Sequence, residues 1–259
     1  MNDFTPPIRR RNHGKGHSYV DANGAKVPGV TTILSGGVPK PALIGWAANT
    51  TADYAIDHWD RLAELPPTAR LKELSRARFA DRDAAAKRGT EVHGLAEQLV
   101  SGHEVEVPEQ LAGHVEAYVD FLDRYRVEPV LTEFVVVSHS YGWAGTGDLI
   151  ADFPTLGQRL LCDIKTSRSG VFGETAWQLA AYRFADAYVD DQGEEQPMIE
   201  VDGCAVIHVR ADGFDLYPMQ AGPEQLREFR YIREVSRACD RSRDYVGEAL
   251  LPPALEVTA

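Results

Sequence analysis

Between residues 130 and 165, three apolar, β-rich runs follow one another with only turn-like residues between them: 130–137 (VLTEFVVV), 147–153 (GDLIADF) and 159–165 (RLLCDIK). β-Branched and aromatic side chains suit a pleated, half-buried surface. The middle of the chain is therefore expected to form adjoining strands, the first two separated by the turn-like Tyr141-Gly142-Trp143. On either side the pattern is helical. Leu111, Val115, Tyr118, Leu122 and Tyr125 recur at steps of three and four and mark one apolar helix face. An earlier stretch, 68–100, carries Leu71, Leu74 and Phe79, then Val92, Leu95, Ala96 and Leu99, and Gly89 is expected to divide it into two helices. After the third run, 173–189 reads as a largely apolar helix, 190–200 as an acidic surface loop, and 204–209 (CAVIHV) and 214–217 as two more strands. A helix over 222–246, with Leu226, Phe229, Ile232 and Val235, closes the series. This order predicts an α/β fold, a mixed central sheet with helices on its faces.

The N-terminal part reads as a basic arm over residues 1–16, with Arg9, Arg10, Arg11 and Lys15, followed by a hairpin. The segment 17–20 (HSYV) runs into Asp21-Ala22-Asn23-Gly24, and Asn-Gly is a strong hairpin-turn signal. Residues 27–34 (VPGVTTIL) predict a short strand or the entry to a helix. A chain of 259 residues, 44% hydrophobic and 25% charged, can bury a sizeable core. A single domain over 17–250 is expected, with a hairpin and helical part at 17–126, a sheet core at 127–250, and a tail at 251–259. No apolar run reaches the length of a membrane span, and the basic N-terminus is not followed by the apolar stretch of a secretory leader. Cys162, Cys204 and Cys239 are too scattered for a disulfide framework or a C-x-x-C metal site, so a cytoplasmic setting is expected. The formal charge of −12 argues against nucleic acid as a partner, although a local basic groove or a bound divalent cation reverses the sign at a site.

Candidate chemistry gathers in the strands. Alternation puts Asp163 and Lys165 on one face of a strand and Ile164 on the other. Asp148, after Gly147, lies on the preceding run, which a short connection would make the antiparallel neighbour. Paired carboxylates repel unless a cation lies between them, and hard oxygen ligands suit Mg²⁺ or Mn²⁺. A strand-end ion pair between Asp163 and Lys165, with Asp148 in a turn, explains the same three residues. His93 and Glu97 share a helix face at the edge of an apolar stripe, which suits either a metal ligand or a hydrogen-bonded boundary residue. Gln178 and Tyr182 are also four apart, in an apolar helix where an amide needs a partner. The pair Gly145-x-Gly147 precedes a strand and lacks the third glycine of a dinucleotide fingerprint. The sequence contains no phosphate-binding P-loop, zinc-protease motif or nucleophile elbow.

Read in order, Gly89-x-x-x-His93, Gly147-Asp148, Asp163-x-Lys165 and Gln178-x-x-x-Tyr182 resemble the PD-(D/E)XK nuclease superfamily. The likeness is to its RecB-like exonuclease branch, which includes Cas4-type phage exonucleases and the mitochondrial genome-maintenance exonuclease. Tyr19, the 27–34 segment, Lys40-Pro41-Ala42-Leu43 and Trp46 are also similar to phage members, so the resemblance runs from about residue 17 to 190. It implies a restriction-endonuclease-like core over 17–250. It also implies a metal held by Asp148, Asp163, the Ile164 carbonyl and His93, with Lys165 placing the attacking water. Gln178 and Tyr182 would contact DNA or brace the site, and Arg168, Lys87 and Arg88 are candidate phosphate contacts. Many Cas4 proteins carry an iron–sulfur cluster on four cysteines; this chain has three, none suitably placed, so no cluster is expected.

The expected activity is a Mg²⁺- or Mn²⁺-dependent DNA exonuclease acting on single-stranded or duplex ends and leaving 5′-phosphate and 3′-hydroxyl groups. The setting would be phage recombination or replication in the host cytoplasm, with a recombination or single-strand-annealing protein as the expected protein partner and no membrane. Alternatives are an endonuclease of the same fold and a non-catalytic nucleic-acid-binding protein.

Overall fold

The structure, a computed structural model, describes residues 8–13, 16–103, 105–167 and 169–250, the side chains of 80–82, 84 and 85 excepted. At the N-terminal end, β1 (Arg9–His13), β2 (Gly16–Val20) and β3 (Lys26–Val27) form a small antiparallel sheet. The expected hairpin turn is made by Gly24 at φ 81° and by the Asp21 carboxylate, which accepts the Asn23 and Ala25 N–H groups. Residues 9–13, expected within a basic arm, instead pair with β2, Arg10 opposite Tyr19. Residues 1–7 and the 251–259 tail lie outside the described residues.

Four helices follow: α1 (Val30–Gly37), α2 (Pro41–Asp57), α3 (Trp59–Glu64) and α4 (Pro67–Val100). Helix α1 buries Val30, Ile33 and Leu34, the face that three- and four-residue spacing predicts. The expected break at Gly89 does not occur, and α4 runs through it without interruption. One glycine costs a helix only about 1 kcal/mol, too little to interrupt an element of 34 residues. Helix α5 (Ala112–Tyr125) leads into β4 (Glu128–Ser138), β5 (Trp143–Phe153) and β6 (Gln158–Lys165).

The next helix, α6, is Glu174–Arg183 and stops short of the expected residue 189. The Asp186 N–H donates to the Val137 carbonyl, and β7 (Ala187–Val189) pairs with β4. An open strand edge thus takes residues whose local pattern suits a helix. Within the expected acidic loop, β8 (Glu195–Pro197) pairs back on β7. β9 (Gly203–Arg210), β10 (Gly213–Met219) and α7 (Pro223–Arg241) complete the fold.

The result is a mixed α/β structure with one seven-stranded sheet in the order β10-β9-β6-β5-β4-β7-β8. Every pairing is antiparallel except β6 with β9, which the chain reaches by crossing over through α6 and the β7–β8 hairpin. One core joins α1, α6 and α7 to the sheet around Trp143, Leu179 and Phe229. A second lies around Phe121, Phe153 and Ile207, with Ala96 of α4 packed into it. Among the described residues no helix is long and apolar enough to cross a membrane.

The glycines of β5 are explained by ring packing. A Cβ on Gly145 would run into the Tyr182 ring, and one on Gly147 would lie 2.6 Å from Phe134 Cζ. Phe134 is the cross-strand partner of Gly147, so its ring covers the glycine that precedes Asp148. Gly147→Ala is therefore expected to destabilise the protein by about 1–3 kcal/mol, read as a lowered urea midpoint with an unchanged slope. An unchanged midpoint would mean that Phe134 moves aside freely.

Candidate active site

The expected pairing of the two aspartates follows from register. Leu149 opposes Cys162 across the β5–β6 ladder, which sets Asp148 beside Asp163. Ile164, between Asp163 and Lys165, turns into the second core as alternation requires. Lys165 Nζ lies 2.6 Å from Asp163 Oδ2, and Gln178 Nε2 donates to Asp163 Oδ1 at 2.7 Å. The lysine thus forms a close ion pair with a carboxylate that is otherwise buried. Gln178 also lies 3.4 Å from the Tyr182 hydroxyl, so the amide that needed a partner has two. Tyr182 is buried against Gly145.

Helix α4 brings His93 over the end of this ladder. His93 Nε2 lies 2.8 Å from the Ile164 carbonyl, while Nδ1 lies 3.6 Å from Asp148 Oδ2 and 3.9 Å from Glu133 Oε1. A carbonyl only accepts, so Nε2 carries a proton and Nδ1 faces the two carboxylates. Once Nδ1 gives up its proton, its lone pair and the two carboxylates are left with no cation between them. His93, Glu133 and Asp148 each offer a donor atom within 4.8 Å of the others. A histidine whose other nitrogen donates to a backbone carbonyl is the common arrangement of a metal ligand, and an imidazole with carboxylates suits Mn²⁺ or Mg²⁺. The residues fit such a cation. The Ile164 carbonyl, expected as a ligand, is engaged by His93, and Asp163 by Lys165 and Gln178.

Glu133 is the residue that sequence reasoning missed. It has φ 45°, a conformation that non-glycine residues rarely adopt. Thr132 pairs with Leu149 and Phe134 with Gly147, so Glu133 lies opposite Asp148 on the neighbouring strand. Val130, Leu131, Phe134 and Val136 all pack against one core, and the β4–β5 register shifts between Pro129 and Leu131. A lone carboxylate inside VLTEFVVV was the available signal. Arg10, from the presumed arm, also reaches the site, its Nη1 3.9 Å from Glu133 Oε2.

Neither a family model nor a curated protein matches the chain.

Charge coupling in the site is strong. Burial would lower the His93 pKa, but Asp148 beside it, then Asp163 and Glu133, raise it to about 9. Burial and the Asp148 charge lift Glu133 to about 7 against the pull of His93. Asp148 stays below the usual carboxylate range because His93, Lys165 and the Ile164 N–H, 2.7 Å from Oδ2, outweigh its burial. For Asp163 burial wins over Lys165, and its pKa rises. Lys165 is pushed further up, its burial overcome by Asp163 and Asp148, and remains a cation.

The other expected contacts are more dispersed. Glu97 is exposed one turn beyond His93 and adds its charge to the field on Glu133. Lys87 is exposed on α4 with Glu91 3.6 Å away, and Arg88 is half-buried on the same helix. Arg168 lies outside the described residues.

Proposed function

We propose that this protein is a divalent-metal-dependent DNA exonuclease built on a restriction-endonuclease-like core. The observation that carries the reading is the convergence, at one end of β4–β5–β6, of a cation-sized His93–Glu133–Asp148 donor set with the Asp163–Lys165 pair. The combination suits metal-assisted phosphodiester hydrolysis: acceptor ligands for a hard cation, and beside them a fixed positive charge. When bound, Mg²⁺ or Mn²⁺ would activate a water and neutralise the scissile phosphate.

The chain's own groups divide the remaining work. Lys165 is a cation and not a base at working pH, so its task is to hold the attacking water and to offset phosphate charge. Gln178 fixes Asp163, and Tyr182 braces Gln178 from the apolar side of α6. His93 is oriented by the Ile164 carbonyl and joins helix α4 to the sheet. The exonuclease rather than endonuclease mode rests on the resemblance of the ordered motifs to the RecB-like branch. Its expected products bear 5′-phosphate and 3′-hydroxyl ends.

The test is cleavage of end-labelled single strands and duplexes beside a closed circle, with Mg²⁺, Mn²⁺ or EDTA. Loss of linear DNA only with metal, the circle intact, is the expected result. Nicking of the circle would make the enzyme an endonuclease, and binding without any cleavage would leave a nucleic-acid-binding protein.

A further inference from the structure

Beside Lys165, a cavity of about 180 Å³ opens between α1, the chain after β6 and the first turns of α6. Its walls carry the hydroxyls of Thr31, Ser35, Ser167 and Thr175. Phe172 also lines it and is 54% exposed, so part of its side chain is open to an occupant. Gln178 and Lys165 line both this cavity and the catalytic ladder, so an occupant would lie next to the scissile bond.

The charge in the cavity is balanced. Lys40 Nζ is 2.9 Å from Glu174 Oε1, and Lys165 is paired with Asp163. Beyond Lys165, which serves the scissile phosphate, the walls offer hydrogen-bond donors and acceptors and no unpaired positive charge. A second phosphate would find little to hold it there, whereas a flat group with polar edges suits both the lining and Phe172.

We propose that this cavity receives one unpaired nucleobase of the strand being cut, stacked on Phe172, with its edge against the α1 and α6 hydroxyls. The inference rests on the nuclease reading and gives it a substrate class: single-stranded DNA, or duplex ends that have frayed. A base held in a duplex presents neither a free face to Phe172 nor a free edge to Thr31 and Ser35. Base–aromatic stacking tolerates any sequence, so the pocket selects strandedness and not sequence.

Three variants address the pocket away from the metal donors. Phe172→Ala removes the platform, Phe172→Trp keeps it, and Ser35→Phe fills the cavity from an exposed position on α1. Cleavage with Mn²⁺ would be measured on a single strand of ordinary bases and on one with abasic residues around the cleavage point. Phe172→Ala and Ser35→Phe are expected to raise KM for the ordinary strand about ten-fold with kcat little changed. Phe172→Trp should restore it, and the abasic strand should be handled alike and weakly by all four proteins. A 2-aminopurine strand bound in Ca²⁺ should lose fluorescence on wild type and not on Phe172→Ala. If wild type cuts ordinary and abasic strands with equal KM, the pocket assignment is wrong while the nuclease reading stands. If no metal supports cleavage by wild type and the 2-aminopurine signal does not change, both are wrong. Quenching that depends on Phe172 without cleavage would keep the pocket and overturn the nuclease.

Discussion

Lys165→Met is expected to lower the cleavage rate by about 10²–10⁴-fold, the range lost when a positioned group that serves the transition state is removed. Methionine keeps the length and apolar stem of the lysine and deletes only the charge. The variant should still bind DNA, because the cavity hydroxyls and the metal donors are untouched. It will be less stable, since Asp163 is 2% exposed and loses its only cationic contact among the described residues. Removing one partner of a buried pair costs about 3–5 kcal/mol when the other stays charged. Asp163 will instead take up a proton more readily. A carboxyl whose pKa is raised on folding carries its penalty above the folded pKa and sheds it below the unfolded one. The melting deficit of Lys165→Met should therefore be largest at alkaline pH and shrink on acidification. Rates belong at temperatures where circular dichroism shows both proteins folded. A variant that cuts as fast as wild type would remove Lys165 from the chemistry altogether.

In EDTA at pH 8, Glu133→Gln should melt at a higher temperature than wild type. The glutamate pKa rises from 4.5 unfolded to about 7 folded, through burial first and the Asp148 charge second. Its charged form thus destabilises the metal-free protein by about 3 kcal/mol above pH 7. That penalty fades as pH falls through 7 and is gone below the unfolded value. Glutamine keeps the shape without the charge, so the gain should be about 5–10 °C at pH 8 and vanish near pH 4. With Mn²⁺ added the order should reverse, because wild type gains a ligand that the variant lacks. Calorimetry should show weaker Mn²⁺ binding by the variant. Wild-type binding should release protons at neutral pH, since His93, raised to about 9, must give one up to become a ligand. Equal melting of the two proteins in EDTA at every pH would show that Glu133 carries no electrostatic burden.

The legible part of the site was the part whose geometry is local. Asp163 and Lys165 share a face because strands alternate, and Asp148 stands beside them because the β5–β6 connection is short. His93 was a candidate from its helix face, but its contact with the Ile164 carbonyl links residues 71 apart in sequence and could not be read from spacing. Glu133 was obscured for a different reason. A carboxylate in a strand ordinarily points to water, and the backbone distortion that turns this one inward leaves no mark in composition. The fold showed the same division. Helix faces and the central meander followed from periodicity. The end of α6 at Arg183 did not, because it is set by pairing with β4. Gly89 and the 9–13 segment were misjudged where a weak local signal met a longer element or a neighbouring strand.

The parallel seam between β6 and β9 also governs when the protein becomes whole during synthesis. Asp163, Ile164 and Lys165 pair with Val206, Ile207 and His208, so the strand bearing two site residues has a bare edge until the ribosome has delivered β9. Up to then the nascent chain exposes apolar β6 as a template for other strands, a hazard for chaperones to cover. The same delay leaves Asp163 and Lys165 without their final β-sheet neighbour until β9 is made.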